Sequence, residues 1–248
     1  MRSVSLLGIA NAWAAVMLVA SSPSPRFHPA LIKQPRELAH LFTTWSGPVP
    51  ADGIMAEEKR DGIRALYIDG RLLTREGNEI HGVGHILPLL RLMEDKAGYA
   101  LFIDSEFQIG ESLRDTISHF KRGPAALDAG TLWAFDCMPL DQWRADSCSE
   151  PLYLRKASLH ALWEAATFTM CSGDWSWPER SYGRRPPANA VVVIPDVWLT
   201  DADAVLSEAK RVWAQNREGL VLKDWKSLYR RRRTSDWQKV KQGWATKL

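Results

Sequence analysis

Glu57-Glu58-Lys59-Arg60-Asp61-Gly62-Ile63-Arg64 reads EEKRDGIR, six charged residues in eight, set between ADGIMA (51–56) and the apolar run ALYI (65–68). A charge run is usually a solvated face. Whether a lysine set among acids and arginines at the mouth of a strand is more than that depends on the sequence around it.

The chain has 248 residues, enough for one large domain or two small ones with ample core. An apolar fraction of 46% and a charged fraction of 25% are ordinary for a globular protein. Net charge is +3, but residues 223–248 hold nine Lys/Arg against two Asp/Glu, a local +7, which leaves −4 for the rest. That basic tail points to a polyanionic partner. Cys137, Cys148 and Cys171 contain no CxxC pair and an odd number cannot all be bridged, which excludes a full disulfide framework. His81 and His85 have the spacing of one helical turn, but no third ligand nearby completes a zinc set.

Residues 1–26 are set apart. MRSVSLLGIANAWAAVMLVASS carries one positive charge, an apolar run from Val4 to Ala20 and small residues after it. It reads as a secretory signal peptide cleaved near Ala20, as a packed helix, or as an upstream start ahead of a domain beginning near residue 27. Broken by Asn11, the run is too short for a transmembrane helix, so no stable membrane association is expected. The location expected is cytoplasmic, or periplasmic if 1–20 is a signal peptide.

From residue 27 onward there is no internal repeat. RALYIDGRLLTR alternates around Asp69-Gly70, a hairpin signal. YALFIDSEF, GTLWAFDCM, AVVVIPDVWL and LVLKD read as strands. Helices are expected over 85–96, 111–122 and 159–168, and from a Thr200 cap with Asp203 three residues on to about 217, stopped by Gly219. Strands and helices interleave with hairpins rather than with regular βαβ units. The class expected is α+β, built on antiparallel sheets flanked by helices.

Placed beside its companions, KRDGIR resembles motif I, KxDGxR, of the covalent nucleotidyltransferases: ATP-dependent DNA ligases, RNA ligases and capping enzymes. Thr74-Arg75-Glu76-Gly77 resembles motif Ia, and FIDSEF, with Asp104 and Glu106, resembles motif III. WAFD, with Phe135, is similar to motif IIIa, EGLVLK (Glu218 to Lys223) to motif IV, and WQKVK, with Lys239 and Lys241, to motif V. Arg64 together with EGLVLKD and WQKVK looks most like the small DNA ligases of phages and some bacteria, and DGRLLTREGNEIHG resembles minimal bacterial ligases. The likeness runs from about residue 27 to 243 and implies the ligase-type, ATP-grasp-like nucleotidyltransferase fold over 27–248.

The resemblance implies roles. Lys59 would attack the α-phosphate of ATP to form a lysyl-AMP phosphoramidate. A free lysine, with a pKa of ~10.4, is protonated at neutral pH, and burial beside cations liberates the amine. Glu57 would accept from the adenine amino group, Arg64 would hold the ribose and Phe135 would stack on the base. Asp104, Glu106 and Glu218 would offer hard oxygens to Mg²⁺, with Mn²⁺ a substitute; Glu106 would also contact the nucleotide. Lys223, Lys239 and Lys241 would neutralise the triphosphate and its transition state. Asp61 would serve the later strand-joining step, and Arg75 would grip the 5′-phosphate of the nick.

Arg230, Arg231, Arg232 and Arg233, between motifs IV and V, would supply phosphate contacts to DNA. The seven residues after Lys241 cannot hold the five strands of an OB-fold domain, so no such domain is expected here and a separate OB-fold or clamp protein is a partner to look for. The activity expected is ATP-dependent sealing of nicks in duplex DNA, as in repair, replication or recombination. The alternatives are an RNA ligase, another adenylyltransferase, or a non-catalytic nucleic-acid-binding module.

Overall fold

The computed structural model describes residues 38–172 and 176–243. The apolar segment of residues 1–26, on which the export reading rests, lies outside them. No helix among the described residues is long and apolar enough to cross a membrane.

Two five-stranded sheets organise the chain. The first has the order β1 (Leu41–Thr44), β10 (Arg233–Lys241), β9 (Gly219–Lys223), β2 (Ile54–Glu58), β8 (Asp196–Leu199), and the second β4 (Arg71–Thr74), β3 (Ile63–Ile68), β5 (Leu101–Gln108), β6 (Thr131–Pro139), β7 (Val191–Val193). Pairing is antiparallel except for β1 (Leu41–Thr44) with β10 (Arg233–Lys241) and β6 (Thr131–Pro139) with β7 (Val191–Val193). These sheets and their helices match the α+β class expected. The hairpin forms as expected, with β3 (Ile63–Ile68) and β4 (Arg71–Thr74) joined by Asp69 and Gly70, both at positive φ. β5 spans Leu101–Gln108 and lies between β3 and β6.

Strand alternation sends side chains to three apolar layers. In β3, Ala65 and Tyr67 face the helices, whereas Leu66 and Ile68 face the other sheet. α1 (Leu87–Ala97) and the long α4 (Leu152–Cys171) cover the outer side of the second sheet. In β2 (Ile54–Glu58) and β9 (Gly219–Lys223), Ile54, Ala56, Leu220 and Leu222 face α6 (Ala202–Ala214). Met55, by contrast, points between the sheets, where Phe102, Phe135, Tyr229 and Trp237 complete the middle layer. Glu57 shares Met55's parity, and Lys223 pairs across the strands with Met55. Polar residues of the motifs therefore project into the gap between the two sheets.

Several boundaries differ from the sequence reading. AVVVIPDVWL is two strands, not one: β7 belongs to the second sheet and β8 (Asp196–Leu199) to the first. Pro195 has no N–H to donate and restricts Ile194, so the chain crosses between sheets at that dipeptide. Asp201, not Thr200, caps α6: its Oδ1 accepts from the Ala204 N–H at 2.8 Å. The helix ends at Ala214, and Gly219 opens β9 instead of stopping the helix. α2 (Leu113–Phe120) is shorter than expected, with Ser112 as its cap and a 3-10 turn at Gly123–Ala125 after it. α3 spans Leu140–Ala145. α4 starts seven residues earlier than expected (152 against 159), because Leu152 and Tyr153 donate their N–H groups to the carbonyls of Ser227 and Trp225. A short α5 (Glu179–Tyr182) leads towards β7.

Candidate active site

Lys59 follows the last residue of β2. Its backbone N–H donates to the Gly219 carbonyl at 2.8 Å, which ties motif I to motif IV. Both glycines here are required by close approach: a Cβ on Gly62 would sit 2.2 Å from the Phe107 carbonyl oxygen, and one on Gly219 2.0 Å from that of Val240. Lys59 Nζ donates to Glu218 Oε2 at 2.6 Å and lies 5.9 Å from the centre of the Phe42 ring. The other oxygen of Glu218 is held by Lys241 Nζ, so one carboxylate serves two lysines from different strands.

Beside Lys59 a cleft opens between the sheets. Glu57, Arg64, Glu106, Phe135 and Lys223 all line it, joined by Phe42, Ile194 and Trp237. Five residues assigned to the nucleotide by resemblance thus share one wall system with Lys59. Phe135 reaches the cleft through a β-bulge. Asp104 pairs with Asp136 and Ser105 with Ala134, leaving Phe135 as the extra residue of β6. Bulges re-aim side chains in this way. Lys223 Nζ lies 4.4 Å from the Phe135 ring centre and 4.3 Å from that of Trp237.

Glu57 is buried and pinned on both oxygens. Lys156 Nζ donates to Oε1 at 2.6 Å, and Lys223 Nζ lies 2.5 Å from Oε2. Burial lowers the pKa of Lys223, and the nearby Lys156 adds to that, while Glu57 opposes it. Glu106 accepts from the Gly62 N–H at 3.2 Å. Burial lifts its carboxyl to about 7 even though Lys59 and Arg64 pull it down.

Asp104, given a metal-ligand role by the resemblance, bonds behind the cleft wall. It is fully buried, takes two bonds of 2.5 Å from the Arg64 guanidinium, and accepts from the Tyr229 hydroxyl at 2.6 Å. It does not line the cleft. Its carboxylate orients Arg64 from behind, and Asp104, Glu106 and Glu218 do not gather into one three-carboxylate cluster among the described residues. Arg64 Nη2 also donates to the His40 carbonyl at 3.0 Å. The His40 ring stacks on Trp237 at 4.4 Å. Its Nδ1 accepts from the Arg230 N–H, so Nε2 carries the proton and donates to Thr234 Oγ1 at 2.6 Å. Burial and Arg64 drive its pKa down to about 3, leaving a neutral ring.

A second hollow shares Glu58, Lys59 and Arg60 with the first and extends to Asp61, Gln108, Glu111, Arg217 and Glu218. The Arg60 guanidinium lies over Trp133 at 3.6 Å. Asp61 Oδ2 accepts from the Leu113 N–H at 3.2 Å, which ties motif I to the start of α2.

The basic residues divide. Lys239 is on β10 beside Lys241, and burial first, then Lys241, lowers its pKa. It does not line the cleft. Arg75 is exposed, away from both hollows, and bonds Glu76 at 2.8 Å. Arg230 and Arg231 are half-buried and Arg232 and Arg233 exposed. The Arg231 N–H donates to Asp146 Oδ1, and its guanidinium lies 5.2 Å from the Trp143 ring centre. The four arginines therefore do not form one phosphate-facing row. Sequence reasoning missed Phe42, Trp237, His40, Tyr229 and Lys156. Of these Lys156 alone had a visible signal, as half of an Arg-Lys pair near the start of a largely apolar helix.

The fold is that of the nucleotidyltransferase domain of ATP-dependent DNA ligases. A solved structure named Pmar-Lig_PreS3 matches with a TM-score of 0.63 and 19% identity, over 82% of this chain and 46% of that one. The ATP-dependent DNA ligase from bacteriophage T7, in complex with ATP, matches with a TM-score of 0.61 and 16% identity, over 83% and 68%. The Chlorella virus DNA ligase-adenylate matches with 0.58 and 17%, over 82% and 67%. The chain spans about half the length of the first of these. No family model and no curated sequence matches the chain.

Proposed function

We propose that this chain carries the catalytic domain of an ATP-dependent polynucleotide ligase that seals nicks in duplex DNA. The observation that carries the reading is convergence: Glu57, Lys59, Arg64, Glu106, Phe135 and Lys223, drawn from four motifs spread over 167 residues (57 to 223), line one cleft. The ligase fold supports it.

Phe135 would stack on the adenine, a contact of roughly 1–3 kcal/mol. Glu57, acceptor-only while ionised, would take the adenine amino group. Lys59 Nζ would then attack the α-phosphorus: the N–P bond forms as the bond to the diphosphate oxygen breaks, and the proton leaving Nζ passes to Glu218 Oε2, 2.6 Å away. AMP would move next to the 5′-phosphate of the nick, and the 3′-hydroxyl would displace it. Lys223 and Lys241 would neutralise the phosphates.

Mg²⁺ typically takes one or two carboxylates plus substrate phosphates. Glu106, which lines the cleft, and Glu218, in contact with Lys59, suit that donor set, whereas the saturated Asp104 does not. Bound there, the ion would neutralise charge on the phosphate oxygens.

Incubation with ATP and Mg²⁺ should add the mass of one AMP, stable to alkali and lost in acid, and Lys59→Ala should add none. Nicked DNA, offered beside nicked RNA, should then be joined. An adduct of full yield on Lys59→Ala would remove the proposed nucleophile. Joining of RNA alone would move the protein to the RNA ligase reading, and no adduct at all would favour a non-catalytic module.

A further inference from the structure

Lys156 lies outside every motif of the nucleotidyltransferase resemblance. It is the fifth residue of α4, and its side chain is 4% exposed. The ammonium reaches out of the helix towards the cleft wall and donates twice at 2.6 Å, to Glu57 Oε1 and to the Ile194 carbonyl oxygen. Asp196 Oδ1 lies 4.0 Å away. Glu57 comes from the first sheet, and Ile194 lies at the crossover where the chain passes from the second sheet to the first. Both line the cleft beside Phe135. One ammonium therefore fixes two hydrogen-bond acceptors on the same wall, each of which keeps a further lone pair.

The arrangement is costly for stability alone. Two buried lysines flank Glu57, and among the described residues Lys156 has besides it only Asp196, partly exposed and 4.0 Å away. Burying an extra ammonium is unfavourable unless something gains from its position. Lys223 alone would give Glu57 a counter-ion. It contacts the other oxygen, however, and makes no bond to Ile194. Only Lys156 sets the spacing between the carboxylate and the carbonyl.

We infer that Lys156 is a positioning residue for base selectivity, holding Glu57 and the Ile194 carbonyl as a paired acceptor edge that fits a 6-aminopurine and repels a 6-oxopurine. The inference rests on the nucleotide-cleft reading above and names what sets its specificity. An adenine stacked on Phe135 would offer its amino hydrogens to this edge. Guanine would place a carbonyl oxygen against two acceptors, with no donor between them. A site built to pair one polar group discriminates strongly against the analogue that cannot make the pairing. Without Lys156, the Glu57 carboxylate can pivot about Lys223 and the Ile194 carbonyl is free to tilt, so the edge loses its spacing.

The test uses AMP and GMP as probes, with binding followed by calorimetry, so that it does not depend on the chemical step. Wild type should prefer AMP. Lys156→Met should lower the AMP-to-GMP affinity ratio at least tenfold, Lys156→Arg should restore part of it, and Lys156→Met added to Glu57→Gln should lower it no further. If the methionine variant does not fold, Lys156→Gln, which keeps one donor, carries the same comparison. A merely structural lysine would weaken both nucleotides equally and leave the ratio unchanged, which would overturn the inference, as would a wild type with no preference. Adenylation by ATP is measured in parallel. Loss of base preference in a protein that forms no adduct would support Lys156 and refute the ligase reading. An adduct with an unchanged ratio would do the reverse.

Discussion

Glu106 gives the sharpest stability test, because its carboxyl is lifted from 4.5 to about 7 and the main cause is burial. Between those values the folded protein keeps a proton that the unfolded chain releases. The native state thus binds more protons than the unfolded state, and stability falls as pH rises through that window. A shift of that size corresponds to about 3 kcal/mol, and the part of the side chain that water reaches reduces it to about 1–2 kcal/mol. Glu106→Gln is isosteric, keeps an oxygen for the Gly62 N–H and never ionises. It should be more stable than wild type at pH 8 by about 1–2 kcal/mol, a rise in Tm of roughly 2–8 °C for a chain of this size. At pH 5 the advantage should shrink to about a quarter of that, because Glu106 is then protonated in the folded state and only partly ionised in the unfolded one. Differential scanning calorimetry of both proteins from pH 5 to 8 measures the difference directly. A variant with equal or lower Tm at pH 8, or an advantage that does not grow with pH, would refute the argument that Glu106 is held protonated by burial.

Two further outcomes follow from the placement of charged groups. Asp104→Asn should destabilise the protein by roughly 3–5 kcal/mol, the usual effect of stranding a buried partner such as Arg64, and should leave the Mg²⁺ concentration giving half-maximal adenylation unchanged; an altered Mg²⁺ requirement in a folded variant would return Asp104 to the metal. Arg232→Ser with Arg233→Ser should flatten the salt dependence of nicked-DNA binding by about 0.9 for each phosphate no longer neutralised, whereas Arg231→Ser, which removes the guanidinium that lies 3.8 Å from Asp146 and over Trp143, should lower Tm and leave the slope alone; the opposite pattern would put the DNA-binding role on Arg231.

The motif chemistry was legible because the residues that carry it sit next to one another. The whole of EEKRDGIR turns around one lysine, and the hairpin at Asp69-Gly70 depends on nothing beyond its own two strands. Burial was not legible. Asp104 reads as a ligand in FIDSEF, yet the groups that saturate it, Arg64 and Tyr229, are 40 and 125 residues away. Lys156 was hidden for the same reason: its acceptor Glu57 is 99 residues away and on another sheet. In the helix sequence it looks like one more solvated cation. Arg155, next to it, is equally buried and bonds Asp136 at 2.8 Å. Neighbours on a helix point about 100° apart, so α4 sends one cation to each sheet. Only the assembled layers show this.

That division explains how Asp104 and Asp136 can sit directly opposite each other on adjacent strands. Like charges in such a cross-strand pair repel, and a bridging cation would be one remedy. The protein uses another. Arg64 takes Asp104 in a fork of two bonds, and Arg155 takes Asp136 in a second fork, with both oxygens of Asp136 at 2.8 Å. A guanidinium stays charged and matches a carboxylate in shape, so each acid is neutralised locally. Around Lys59 the pattern reverses: two lysines share Glu218, and two share Glu57. Behind the cleft, acids and cations balance one to one. Beside Lys59 one carboxylate is shared between two strands' lysines, and Lys59 and Lys241, gathered there by Glu218, are what a triphosphate would meet.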